Sequence, residues 1–447
     1  MTPFGILWLA LTVVGSYGKI ERLVILTLLA TLFDTATVFS ISDFRLSAQD
    51  ITCFVLIVRF FMSGRQARVA LDLRHGLLFF FLAYVLVGGL LSLALFDGYE
   101  IESYSSTPSG DWFGVVGSSR IELSIGFFVA VARIALYSFA YFCIVHIIGE
   151  MPEASRDRVL RRAVGASLII VLLFGIYQYS STLGLFDGSV LMGIVHTEDV
   201  AETSAYWNNY TSLYSVFAEP SQCGPWLMGM GWALILKGSI SKRDFLLSSA
   251  CFIEGVLTFS STALVTFVFM FCIYLAKNMN KNILIILIVL MVAAVAITSN
   301  DQVQRLLEST FNKLSSGSGL TRIALIGQAH QVFIDTYGLG LGLNEVIGMS
   351  LISTMLAQVG VIGTMLFAAF LVVLIRRVPA TTAGKFVRYF FVAIIISLLV
   401  SSPGLLYANG FWFALYLIPF GGTITVPKTS RAIKSERMLS YGRYTNS

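Results

Sequence analysis

Hydrophobic positions in this chain do not alternate with polar ones. They run together for roughly 17–25 residues at a time, long enough for a helix to cross a hydrocarbon core. Such runs recur near residues 4–18, 23–42, 51–63, 76–96, 124–148, 164–185, 222–236, 245–258, 262–276, 283–298, 351–375, 389–402 and 411–420. In lipid only helices and closed barrels satisfy their own backbone, and barrel strands would alternate in polarity. The pattern therefore predicts an all-α polytopic membrane protein with 12 or 13 spans, in one membrane domain over residues 1–447. Several runs are short, and Arg59 interrupts the third. The first run lacks a basic flank and a small-residue cleavage site, so no cleavable signal peptide is expected.

Composition points the same way. The chain is 56% hydrophobic and 12% charged, where a soluble domain carries about a quarter of its residues charged; mean hydropathy is +0.81. Four of the five cysteines (Cys53, Cys143, Cys251, Cys272) lie inside apolar runs and Cys223 opens one. An odd, embedded set is neither a disulfide framework nor a metal spacing, so these read as small packing residues. The four histidines lie far apart in sequence. No metal, cofactor or nucleic-acid partner is expected.

The loops between runs are unequal in charge. One set, "GRQARVALDLRH", "EMPEASRDRVLRRA", "KGSISKRD", "KNMNKN", "RRVPATTAGKFVR" and a basic tail over 423–447, holds 21 of the 30 Lys and Arg residues. The other set, 43–50, 97–123, 186–221, 299–349 and 403–410, holds five basic residues against sixteen acidic ones. The positive-inside rule places the first set in the cytoplasm and the long loops 97–123, 186–221 and 299–349 outside. The cytoplasmic loops are too short for a nucleotide domain, and no phosphate-binding Gly-rich loop with Lys-Ser/Thr is present. Activity is expected on the outer face, without nucleotide.

The last long loop carries the most information. In "DQVQRLLESTFNKLSSGSG", Val303, Leu306, Leu307, Phe311 and Leu314 recur at helical spacing, as in an interfacial amphipathic helix that "SSGSG" then breaks. A second helix, "LTRIALIGQAHQVFIDT", carries Arg322, with His330 expected half-buried on it. "YGLGLGLNEV" follows as a turn in which backbone can approach a ligand closely. Upstream, "VFAEPSQCGPWLMGM" puts Glu219 before Pro220 at the start of a span. A residue before proline is held extended and proline suits a first helical turn, so Glu219 is expected just outside a helix N-terminus.

These segments resemble the O-antigen polymerase and O-antigen ligase superfamily over residues 200–375. Ser350, nine residues, then Gly360 and Gly363 match the ligase pattern His-(Asn/Ser/Gln)-x9-G-x-x-G after its first position, where Met349 replaces His. "FAEPS" at 217–221 resembles the Glu-Pro-Ser motif of Wzy-type polymerases, and "LTFSSTALVTF" at 257–267 resembles their Ser-rich hairpin. Methionine cannot shuttle protons, so Met349 together with "EPS" favours polymerase over ligase.

The resemblance implies a glycosyltransferase of the bacterial cytoplasmic membrane, facing the periplasm. It would join undecaprenyl-diphosphate-linked oligosaccharide repeats, with membrane lipids and a chain-length regulator as partners. The diphosphate leaving group then calls for fixed cations, and arginine grips phosphate with two parallel bonds. Arg322 is the first candidate, against pairing with Glu308 or Asp335. Arg120 could also reach the diphosphate, against pairing with Glu122. Arg133 lies inside a span, where charge is costly, and competes with a structural pair to Asp34 or Glu254. Arg305 fits a headgroup anchor as well as a substrate contact. Glu219 is the candidate base, with Glu198, Asp199, Glu202 and Glu345 behind it. His196 reads by default as a solvated loop histidine. Trp207, Asn208 and Tyr210 in "AYWNNYTSLY" offer sugar-binding rings and amides, though interfacial aromatic belts look the same. Ser350 enters through the matched motif. Asp34 and Glu254, inside spans, are expected to be paired. A ligase transferring glycan to lipid A-core and a lipid-linked oligosaccharide flippase or transporter stay open as alternatives.

Overall fold

The computed structural model describes residues 1–33, 36–41, 44–64, 73–106, 113–196, 213–277, 317–402, 404–406 and 408–422. The chain is mostly helical, in the order α1 (Pro3–Tyr17), α2 (Ile20–Ala30), β1 (Thr37–Ile41), β2 (Phe44–Ser47), α3 (Ala48–Met62), α4 (Leu73–Leu95), β3 (Glu100–Ser106), β4 (Phe113–Arg120), α5 (Ile125–Glu150), α6 (Glu153–Thr182), α7 (Ser189–Val195), α8 (Pro220–Leu236), α9 (Lys242–Leu257), α10 (Ser261–Lys277), α11 (Gly317–Asp335), α12 (Leu351–Arg377), α13 (Thr382–Val400) and α14 (Asn409–Leu417). Five of the described helices, α4, α5, α6, α12 and α13, are long and apolar enough to cross a membrane. The expected span 283–298 and the helix over 301–314 lie outside the described residues.

Several boundaries differ from the sequence expectation. The apolar run 23–42 is not one helix: α2 ends at Ala30, and Thr37–Ile41 pairs with Phe44–Ser47 as an antiparallel hairpin. A β-branched, aromatic stretch fits a pleated edge as readily as a span. A second hairpin, β3 with β4, occupies the loop 97–123. α6 begins at Glu153, well before the apolar run, because membrane-edge charges end the hydrocarbon but not the helix. α11 starts at Gly317, inside "SSGSG", where a break was expected.

α8 is enclosed along its length, buried at nearly every position from Cys223 to Leu236. Small residues let neighbours approach it closely: Gly224 faces Thr258 and Ala263, Gly229 faces Ala393, and Gly231 faces Phe252. Trp226 sits among Phe217, Phe390 and Phe413. Because Gly229 meets Ala393 and Gly238 meets Lys385, α8 and α13 run antiparallel.

α12 bends at Gly360, whose backbone leaves the helical region (φ 64°, ψ −168°). The bend frees main-chain carbonyls, and the 337–346 loop takes them: Leu341 N–H donates to Ala357 O and Gly342 N–H to Gln358 O, both at 2.8 Å. Val361 N–H returns a bond to Gly338 O at 2.9 Å, and the Gln358 side chain donates to Val346 O at 2.6 Å. The glycine-rich turn thus approaches the chain's own helix. That close approach replaces the ligand expected from sequence.

The acidic loops gather at one end of the bundle. Tyr99 Oη donates to Asp335 at 2.7 Å, Gln328 to Glu102 O at 2.7 Å, Ser124 to Glu345 at 3.2 Å, and Ser402 N–H to Met349 O at 3.1 Å. The antiparallel pairing of α8 with α13 brings Glu219 to this same end. At the other end Lys237 pairs with Asp244 at 2.7 Å and Arg156 donates to Gly422 O at 2.9 Å.

The bend sets a stability test. A Cβ on Gly360 would stand 2.2 Å from Gly338 O in a backbone region L residues avoid. Gly360→Ala is expected to cost about 3 kcal/mol or more. Gly327→Ala, in an exposed part of α11 with open space around it, is expected to add about 0.5–1 kcal/mol. Thermal melts of both purified variants check the contrast; equal melting temperatures would show the bend to be adaptable.

Candidate functional site

Glu219 stands at the tip of α8, extended (φ −144°, ψ 151°), with Pro220 opening the helix as the sequence indicates. The side chain does not cap the helix. It turns away, and its Oε2 accepts a 2.7 Å bond from Ser221 Oγ. A direct cap bond to the helix N–H groups, the bland expectation for this position, is therefore not observed. The bond also accounts for the spacing in "EPS": the serine two residues on orients the carboxylate, leaving the exposed Glu219 head open.

Ser350 caps α12, accepting from Ser353 N–H at 3.2 Å and sharing a 2.7 Å bond with Ser353 Oγ. Met349 precedes it at φ 55°. The Gly348 N–H donates to Thr354 Oγ1 at 3.0 Å, closing a tight polar knot. Ser350 therefore has a structural task, and the pattern from Ser350 to Gly360 spaces a helix start from a bend. Beside it, Glu345 is half-buried over the start of α5; burial raises its pKa, with the Ser124 bond opposing. Sequence reasoning ranked Glu345 only as a reserve base.

Arg322 is half-buried on α11, which packs on α12 and on the β3–β4 hairpin. Among the described residues it makes no ion pair or side-chain hydrogen bond. Asp335, one expected partner, is engaged by Tyr99 and by Gln331 (2.8 Å); Glu308 lies outside the described residues. No bond or ion pair joins Arg322 to Glu219. His330 is exposed, not half-buried.

The other two described candidate arginines are committed. Arg120 pairs with Glu100 at 3.2 Å across the hairpin, not with Glu122; both side chains are open to solvent, where such pairs contribute little. Arg133 pairs with Asp50 at 3.4 Å and donates to Arg45 O, so its partner among the described residues is Asp50 and not Glu254. Asp50 is buried, closes a capping box with Ser47 and accepts from Tyr137 Oη at 2.7 Å. Tyr416 Oη in turn donates to Tyr137 O at 3.1 Å. This network ties β2, α3, α5 and α14 together, and only the costly charge of Arg133 within a run signalled it.

His196 is buried at the end of α7, with Nε2 2.9 Å from Ser215 O and its ring on Tyr214. It is not a solvated loop histidine. Arg305, Trp207, Asn208, Tyr210, Asp34, Glu198, Asp199 and Glu202 lie outside the described residues. Among the described residues no group of three or more His, Cys, Asp or Glu could hold a metal ion.

No family model, curated protein or solved structure matches this chain. The reading of the site accordingly rests on its geometry and on the motifs themselves.

Burial pushes the His196 pKa below its ordinary 6.5, against the Ser215 bond. Above pH about 6.5 both folded and unfolded chains are neutral there. On acidification the unfolded chain protonates first, so stability falls by up to about 1.4 kcal/mol per pH unit until the folded state protonates too. His196→Gln should flatten that slope in melts between pH about 7.5 and 5.5. An unchanged slope assigns it to other groups.

Proposed function

We propose that the protein is a membrane glycosyltransferase polymerising polyprenyl-diphosphate-linked oligosaccharide repeats on the outer face of the bacterial cytoplasmic membrane. The observation that carries this reading is the Glu219 carboxylate, held at the tip of a deeply buried helix by Ser221 and unused by the helix it heads. Arg322, a cation without a partner among the described residues at the same acidic end, supports it. The 12- or 13-span layout and the periplasmic facing of that end belong to the same proposal, supported by the segregation of basic and acidic loops.

In this mechanism the acceptor sugar hydroxyl attacks the anomeric carbon of the donor and passes its proton to Glu219. The bond from that carbon to the diphosphate oxygen breaks, and polyprenyl diphosphate leaves with the electron pair. Arg322 meets the growing charge with its two parallel N–H groups. Ser221 keeps the base oriented. The glycosyl-diphosphate bond supplies the free energy, so no nucleotide enters.

Purified protein reconstituted with lipid-linked repeat units tests this directly. Lengthening of the glycan without nucleotide supports it; movement across the bilayer without lengthening indicates a flippase, and transfer only to lipid A-core a ligase. Within that assay Arg322→Ala should abolish polymer, and Arg322→Lys should be nearly as poor, because a point charge does not reproduce the bidentate grip. Normal ladders from the lysine variant would reduce Arg322 to a general charge.

Glu219→Gln keeps shape and the Ser221 bond but cannot take a proton. Its rate should drop about 10²–10⁴-fold, with retention of the diphosphate lipid little changed. Glu219→Asp should fall between. A near-normal rate from the glutamine variant moves the base to Glu345 or to the carboxylates of 198–202.

A further inference from the structure

A cavity of about 250 Å³ opens between α6 and α9. Gly175, Ile176, Tyr179, Ala250, Ile253 and Leu257 line it with almost wholly apolar surface, and one carboxyl, Glu254, stands among them. Glu254 is 6% exposed, and its Oε2 has no hydrogen-bond partner among the described residues. The expected structural pairing of this residue is therefore not observed. Gly175 makes the room: a Cβ there would lie 2.3 Å from Glu254 Oε2. Ile176 and Ile253 on the rim are 57% and 63% exposed, so the cavity opens sideways onto the apolar outer surface of the bundle.

Depth narrows the choice of occupant. Glu254 lies three residues before the end of α9 and Gly175 seven before the end of α6. At about 1.5 Å per residue the carboxyl sits roughly 5–10 Å below the helix ends, at the boundary between headgroups and chains. A carboxylate at that depth is costly unless it takes a proton or a cation. Among the described residues no cation pairs with it: Tyr179 and Ser180 of α6, Cys223 of α8 and Cys251 of α9 are groups around it.

We propose that this cavity is a binding site for an aminophospholipid of the phosphatidylethanolamine type, its primary ammonium on Glu254 and an acyl chain in the apolar cleft. A charge-assisted N–H···O bond completes the empty acceptor. A trimethylammonium headgroup has no N–H to give. The site is independent of the glycosyltransferase reading.

The test is lipid retention. Protein is reconstituted into nanodiscs of equal phosphatidylethanolamine and phosphatidylcholine, re-extracted in mild detergent, and its bound lipid weighed by native mass spectrometry. Wild type should retain the ethanolamine lipid several-fold over the choline lipid. Glu254→Gln should lose that preference, and so should Gly175→Ala, which displaces the carboxyl without removing it. Equal retention of both lipids by wild type overturns the proposal and leaves Glu254 a protonated acid. A preserved preference in Glu254→Gln overturns it as well. Should either variant fail to fold, the wild-type comparison alone decides.

Discussion

A helix broken at membrane depth exposes backbone that lipid cannot satisfy, and each orphan group there costs several kcal/mol. The bend of α12 at Gly360 is nine residues, or roughly 14 Å, into the helix. Its resolution fixes the surrounding structure. Main chain must reach main chain, so glycine stands on both sides of the contact: a Cβ on Gly340 would be 2.7 Å from the Gln358 carbonyl carbon, and one on Gly360 would meet Gly338 O. The loop that comes down to make these bonds is buried against Phe127 and Leu93. The two ends of the loop then have little freedom. One end is α11, which carries Arg322. The other is the Met349–Ser350 start of α12, tied to Ser402.

Apolar run length located most described helices, because crossing hydrocarbon imposes a length that composition reveals directly. It misplaced ends wherever something other than lipid set them. α6 continues through Arg156, Arg158, Arg161 and Arg162 because helix hydrogen bonding tolerates charge outside the membrane. The stretch after Ala30 leaves the helix because Val38 O accepts from Thr2 N–H and the strand it belongs to pairs with Arg45 and its neighbours. The Thr2–Val38 bond joins residues 36 positions apart and leaves no local periodicity. The same blindness hid Asp50 as the partner of Arg133: both charges were visible, but not that α3 and α5 put them together.

The candidate site shows the same division. The backbone form of Glu219 followed from the single residue Pro220, whereas its bond to Ser221 required the folded chain. The three candidate arginines that the structure describes share a charge and differ in what they are free to do. Arg120 spends its charge across an open hairpin. Arg133 is bound to a buried carboxylate in a network where removing one partner strands the other, so it holds the fold. Arg322 is left, and half-buried surroundings strengthen what it could offer an anion. Sequence alone put Arg322 first by its motif; among the described residues it is also the one of the three whose guanidinium has no partner.

Rigidity separates Glu219 from the other carboxylates of that end. Glu345 is carried on a loop, and its Ser124 contact is long at 3.2 Å. Glu254 is enclosed within the bundle, away from any sugar that would approach from the aqueous end. Glu219 is fixed at the head of a helix packed on four sides of its length by α9, α10, α13 and the aromatic cluster around Trp226. Its φ is restricted by the following proline and its carboxyl by Ser221. A proton acceptor works when its lone pair is already aimed at the hydroxyl, and the supporting contacts supply that aim before substrate arrives. The glycine contacts along α8 therefore act at a distance: loosening the packing at Gly229 or Gly231 would move the helix tip, and with it the carboxylate, without a change to any residue of the site itself.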